Sequence, residues 1–269
     1  MTERVHLTKH HGLGNDFLVG LWSSVPDHAP ALARRLCDRR RGVGADGLIL
    51  GSSSARPGID LVMNLWNADG STAEISGNGI RCLAQAEAYR RGVDAADLVI
   101  ETAAGDRSVG VRPGVTPGTV VASVGMGAAR PGPAIATAPT APTLVGHRVA
   151  TVDIGNPHVV ILVDEPEAVD VAIAGPAIEA LFPDGINVHF VAPTADGGLR
   201  LRVWERGVGI TDACGSGASA AAYAAHEWGI VGDRVRVHMP GGDAEVIVGP
   251  ELTLIGPATF IASVEVCGG

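Results

Sequence analysis

The chain has 269 residues, 46% of them apolar, and a formal net charge of −9. That length suits one large domain or two of ordinary size with a proper core. The acidic balance, with no basic run beyond Arg39–Arg41, argues against a nucleic-acid partner.

No long uncharged apolar stretch offers a membrane span, and His10, His11 and Asp16 stand where a signal peptide would be apolar, so a cytoplasmic protein is expected. Cysteines 37, 82, 214 and 267 lack paired short spacing, so neither a disulfide frame nor a metal site is expected. Lys9 is the only lysine. A pyridoxal-phosphate enzyme needs a lysine for its Schiff base. Only Lys9 could serve, and it reads as part of an edge-like first strand.

In chain order, Val5–Lys9 reads as a strand running into His11-Gly-Leu-Gly-Asn-Asp-Phe17, where Asn15 sits on a turn. A strand over 17–21 and a helix over 29–40 follow. Gly42–Gly47 is glycine-rich but matches neither a phosphate loop nor the dinucleotide fingerprint. A strand starts at 48–50, and another over 59–66 leads to the turn Asn67-Ala-Asp-Gly-Ser71. Ser76 caps a helix ending near Gly92. Strands over 98–102, 108–112 and 119–124 precede a Pro- and Ala-rich stretch, 128–142, that reads as a linker. The domains are therefore placed at 1–127 and 128–269. In the second half, strands over 149–154 and 159–163 flank Gly155-Asn-Pro-His158. A helix over 172–181 and a strand entered through Asn187 follow. The strand 199–204 opens the loop carrying Glu205 and Arg206. Cys214 then stands at the head of an alanine-rich helix stopped by Gly229. Arg234–Met239 alternates cleanly as a strand, and two or three more close the chain.

Two stretches share a plan. Ser76-Gly-Asn-Gly-Ile80 and Cys214-Gly-Ser-Gly-Ala218 each follow a strand-like run and open a helix of small residues. They stand 138 residues apart, and Gly14 and Gly155 stand 141 apart, so two halves of like fold are expected. Helices this rich in small residues on every face are enclosed rather than surface-lying. Two helix N-termini meeting at one cleft would hold anions, and the dipole would lower the Cys214 thiol pKa. Arg206 can fork a carboxylate, while Glu205 and amide oxygens can take an ammonium. With Asn15, Asn67, Asn156 and Asn187 on turns, the inventory suits an amino-acid ligand.

The whole chain resembles the diaminopimelate epimerase family. The resemblance is carried by His11-Gly-Leu-Gly-Asn-Asp-Phe17, Gly42-Val-Gly-Ala-Asp46, Asn67-Ala-Asp-Gly-Ser71, Gly77-Asn-Gly-Ile-Arg-Cys82, Gly155-Asn-Pro-His158, Glu205-Arg-Gly-Val-Gly209, Ala213-Cys-Gly-Ser-Gly217 and Pro240-Gly-Gly242. It implies an α+β fold of two pseudo-twofold-related domains, each a mixed sheet around a central helix, with the active site in the cleft. It also implies that the last strand, 258–266, returns to the first domain.

The implied activity is cofactor-independent epimerisation of LL-diaminopimelate to the meso form, by two residues on opposite faces of the α-carbon. Cys214 matches one of the family's two cysteines. Asn15, Asn67, Asn156, Asn187, Glu205 and Arg206 match substrate contacts. Gly77, Asn78, Gly215 and Ser216 match the N–H donors, and His158 stands near the catalytic pair. A homodimer is left open.

The other expected cysteine is Ser76 here, and Cys82 lies too far along the helix to replace it. A hydroxyl is a poor base unless activated. Three readings of Ser76 stay open: a replacement made to trap a ligand, a serine that passes protons with help from a neighbour, or the mark of another task. That task would be a different epimerase or racemase, a dehydratase, or non-catalytic amino-acid binding. Gly47 and Ile210 also depart from the family's usual polar residues.

Overall fold

The computed structural model describes residues 4–73, 76–135, 144 and 146–267. By its contacts the chain forms two units: Met1–Val124 with Gly256–Gly269, and Gly125–Ile255.

The first unit contains β1 (Arg4–Gly12), β2 (Asn15–Leu21), α1 (Ala29–Cys37), β3 (Gly47–Ser52), β4 (Leu61–Asn67), α2 (Gly77–Arg91), β5 (Ala96–Thr102), β6 (Gly105–Pro113) and most of β7 (Thr119–Gly127). These strands pair in sequence order, and the final strand of the chain lies against both β7 and β1. The sheet therefore closes. It is mixed: β2–β3 and β4–β5 run parallel, each joined through a helix. From Gly77 to Ala88 α2 is buried on every face, with the strands around it. On the other side of the sheet Leu32, Ala33 and Leu36 of α1 pack on Leu7, Leu18, Leu48 and Leu50, side chains worth roughly 1.5–3 kcal/mol each when buried.

The second unit contains β8 (Arg130–Pro131), β9 (Val149–Asp153), β10 (Pro157–Leu162), α3 (Val171–Glu179), β11 (Asn187–Pro193), β12 (Leu199–Glu205), β13 (Gly209–Thr211), α4 (Gly215–Glu227), β14 (Arg234–Met239) and β15 (Gly242–Ile247). The start of β16 (Leu252–Cys267) pairs with β15. Here β10–β11 and β12–β14 are the parallel pairs, again joined through helices. Val171, Ala174 and Ile178 of α3 pack on Val159, Ile161, Val188 and Phe190, while α4 is enclosed as α2 is. Pairing sense and helix placement thus repeat between the units.

Several elements differ from the sequence reading. Helix α1 stops at Cys37 rather than Arg40, because Asp38 leaves helical geometry (ψ 116°) and its carboxylate accepts the Arg40 and Arg41 amides. Strand β1 is not an edge, since it pairs with β2 on one side and β16 on the other. The stretch 128–142 is not wholly a linker: Arg130 and Pro131 pair with Asp153 and Val152 of β9. Residues 136–143 lie outside the described part. Glu205 ends a strand rather than sitting in a loop, and β13 folds back on β12 with Glu205 opposite Gly209. A strand of three residues carries too little alternation to be read from sequence.

Candidate active site

Ser76 and Cys214 occupy the same structural position in the two units. Each is the N-cap of its unit's enclosed helix, with φ/ψ of −133°/115° and −129°/112°. Ser76 Oγ accepts from Gly79 N at 3.0 Å, and Cys214 Sγ accepts from Gly217 N at 3.3 Å. An extended N-cap whose side chain takes an amide two or three residues on is what small polar residues do best. The first-turn N–H groups and the helix dipole together make each a site for negative charge. Ser76 is half-buried; Cys214 is buried.

In the first unit, Asn15 and Asn78 are joined: Asn78 Nδ2 donates to Asn15 Oδ1 at 3.3 Å, and Asn15 Nδ2 donates to Asp46 Oδ2 at 2.8 Å. Asn67 stands opposite Gly47 across β3–β4 and donates to Ser71 Oγ. Gly47, the family departure, has a local cause, since a Cβ there would come within 2.8 Å of the Trp66 carbonyl. Asp46 shares Arg39 with Asp16, whose other partner is Lys9 at 2.9 Å. Burial pushes the Asp16 carboxyl up, but hydrogen bonds from Arg39 and Lys9 outweigh it and hold it below its ordinary value. The chain's single lysine is therefore a strut, donating also to the Gly44 carbonyl.

Sequence reasoning missed Arg81. This cation is fully buried in α2. It donates from Nη2 to Asn78 Oδ1 (2.8 Å) and from Nε to the Pro257 carbonyl (3.2 Å). Among the described residues Nη1 has no partner. Glycines admit it: a Cβ on Gly12 or Gly256 would come within 3.2 Å of the guanidinium. Burial pushes its pKa down to about 10. The available signal was a charged residue in the middle of a helix otherwise read as enclosed.

In the second unit, His158 Nε2 lies 2.8 Å from Asn156 Oδ1, and His158 stands opposite Asn187 across β10–β11. Asn187 Nδ2 donates to the Pro157 carbonyl, and its Oδ1 accepts from Arg206 N. The Arg206 guanidinium donates to the Asp184 carbonyl. Thr211 donates to Glu205 Oε1 at 2.5 Å, and Ser216 Oγ lies 3.5 Å from Cys214 Sγ. The structure thus brings Asn156 and His158, Asn187 and Arg206, and Glu205, Cys214 and Ser216 together within this unit.

Cys214 departs from the expected acidity. Burial pushes the thiol well above its ordinary value, and the Glu205 carboxylate, close enough to share its hydrogen, pushes it further; Ser216 and the Gly217 amide pull the other way without prevailing. A helix terminus lowers a thiol pKa only where the thiolate is not also stripped of water. His189, fully buried beside Gly217 and with a ring nitrogen that has no partner among the described residues, was also missed. Among the described residues no three His, Cys, Asp or Glu side chains converge as metal ligands, and no helix is long and apolar enough to cross a membrane.

Solved structures share this fold at low sequence identity. A phenazine biosynthesis protein of the PhzF family from Bacillus anthracis superposes with a TM-score of 0.75 at 16% identity, covering 98% of this chain and 99% of that one. A hydroxyproline epimerase from Agrobacterium vitis, bound to trans-4-hydroxy-L-proline, gives 0.72 at 18% identity, covering 99% and 94%. The architecture is that of the PhzF and proline racemase proteins.

Within it, the diaminopimelate epimerase profile matches residues 7–130 and 150–261. The diaminopimelate epimerases of Pelotomaculum thermopropionicum and Desulforudis audaxviator are 40% and 42% identical to this chain, covering 97% and 88% of it and 98% and 89% of their own lengths. The chain belongs to the diaminopimelate epimerase family.

Proposed function

We propose that the protein epimerises LL-2,6-diaminopimelate to meso-diaminopimelate, with Cys214 and Ser76 acting in turn on one α-carbon. The observation that carries this is the identity of the two N-caps: same backbone geometry, same cap bond, one sulfur and one oxygen. Glu205 takes the thiol proton as the substrate ammonium arrives to offset its charge, and the thiolate removes the α-hydrogen. The electron pair spreads onto the substrate carboxylate, held by first-turn N–H groups of Gly77 and Asn78 and of Gly215 and Ser216. The Ser76 hydroxyl gives a proton to the opposite face, and as the product leaves, solvent reprotonates the Ser76 oxygen and takes the proton held by Glu205. Arg206 and the turn asparagines read the polar groups of the ligand. Membership of the family and the high identity over nearly full length support the substrate. A cytoplasmic location, where lysine and cell-wall precursors are made, is part of the same proposal.

The test is proton exchange in D2O. Deuterium should enter the α-carbon of LL-diaminopimelate with inversion. Ser76→Cys should quicken it, because a thiol is the better base, and Cys214→Ala should abolish it. If neither the natural chain nor Ser76→Cys exchanges any α-hydrogen, the assignment is wrong.

A further inference from the structure

The second unit buries two imidazoles in contact. His158 Nδ1 lies 2.8 Å from His189 Nε2, and His158 Nε2 lies 2.8 Å from Asn156 Oδ1. Both rings are wholly buried, and among the described residues His189 Nδ1 has no partner. Burial keeps both neutral, with His189 pushed down to about 3 and His158 held well below its ordinary value, in part by the Arg206 cation.

Two neutral rings joined through nitrogen share one proton, since two would collide and none would set lone pair against lone pair. Two arrangements meet that condition. In one, His189 Nε2–H donates to His158 Nδ1, His158 Nε2–H donates to Asn156 Oδ1, and the orphan at His189 Nδ1 is a lone pair. In the other, every bond is reversed, the Asn156 amide turns over, and the orphan is a buried N–H. A buried lone pair can still meet weak C–H contacts, whereas a buried N–H facing carbon has nothing to bind. Orphan N–H groups are accordingly the rarer kind. The first arrangement prevails.

We propose that His189 is a positioning residue: it fixes His158 as the Nε2–H tautomer, which turns the Asn156 amide so that Nδ2 faces a carboxylate oxygen of the ligand. The inference rests on the proposed amino-acid substrate for its ligand, but not for its tautomers. Space is made for the ring at the expense of a side chain: a Cβ on Gly217 would come within 2.3 Å of His189 Cε1. Asn187 is held differently, by backbone alone: its Nδ2 donates to the Pro157 carbonyl and its Oδ1 accepts from Arg206 N.

The tautomers can be read directly from two-bond proton–nitrogen spectra of the full chain labelled with 15N-histidine. His158 and His189 should both be neutral Nε2–H forms. His189→Gln, which keeps an amide N–H for His158 Nδ1, should preserve the His158 tautomer; His189→Phe should mix it. With diaminopimelate, His189→Phe should raise KM about ten-fold, the worth of one hydrogen bond, with a smaller change in kcat, and His189→Gln should recover most of it. An Nδ1–H form of His158 in the natural chain overturns the proposal. So does a His189→Phe protein with native thermal midpoint and unchanged KM. If His189→Phe does not fold, the natural chain and His189→Gln spectra decide. A natural chain without activity overturns the function, and the spectra still judge the tautomers.

Discussion

Replacing Arg81 with methionine separates what this cation does for the fold from what it does for the site. Burial lowers its pKa from the ordinary arginine value to about 10, which costs the folded state about 3 kcal/mol at neutral pH. The sign follows from a base whose folded pKa lies below its unfolded one. The penalty is complete below about 10 and fades only as pH climbs toward the ordinary arginine value, so it is constant near neutral pH. Against it stand two hydrogen bonds from a charged donor, to Asn78 Oδ1 and the Pro257 carbonyl, worth about 1.5–3 kcal/mol each. Methionine fills similar space, removes the charge and the orphan Nη1, and forfeits both bonds. The net loss should lie between zero and about 3 kcal/mol. Arg81→Lys should be worse, since its compact ammonium is more strongly hydrated and cannot reach both acceptors in the same geometry. Urea unfolding at constant m-value measures this order. Activity should fall further than stability, by about a hundred-fold for Met, because Asn78 loses the group that fixes it in the first turn of α2. A lysine variant as stable as the methionine one would refute the reasoning. So would a methionine variant costing well over 5 kcal/mol, since Arg81 would then be a structural anchor.

Two further outcomes follow from burial. His10 is buried between Gln85 and Thr8 with its pKa lowered to about 4, and His189 and His158 are lowered too. Their unfolded forms take up protons near 6.5, so stability should be full above that pH and fall as pH drops toward 4, by up to about 4 kcal/mol per unit for three sites. His10→Gln should remove about a third of that slope in unfolding midpoints; an unchanged slope would show that His10 is not buried as a neutral ring. Alkylation should also sort the thiols. Cys267 is exposed, whereas burial raises Cys37 and Cys82 to about 12 and Cys214 beyond that. Iodoacetamide at pH 8 should modify Cys267 first, and peptide mapping that finds Cys214 modified as fast would contradict the raised thiol.

Local chemistry was legible in the sequence and long-range chemistry was not. The caps at Ser76 and Cys214 could be read because an N-cap is decided by the residue and the three after it. The left-handed stop at Gly92 and the Asn67–Ser71 turn are equally local. Arg81 could not be placed, because its second acceptor, Pro257, lies 176 residues away. Nor could the Cys214 thiol: the helix terminus is written in the sequence, but the enclosure that reverses its effect comes from packing. Lys9 looked like an edge because the strand that covers it is the last in the chain.

The repeated frame shows where the two halves diverge. Gly79 and Gly217 hold the same place in the first turns of α2 and α4, and Ile49 and His189 the same place in β3 and β11. At the first glycine a Cβ would meet Ile49 at 3.0 Å, and at the second the His189 ring at 2.3 Å. Backbone pairing and caps are kept while the filling changes from aliphatic to imidazole. The charges change as well: a buried cation bonds to the first turn that Ser76 caps, and a carboxylate lies beside Cys214. The helix that the hydroxyl caps thus carries a buried cation. The thiol has a carboxylate beside it that favours its protonated form.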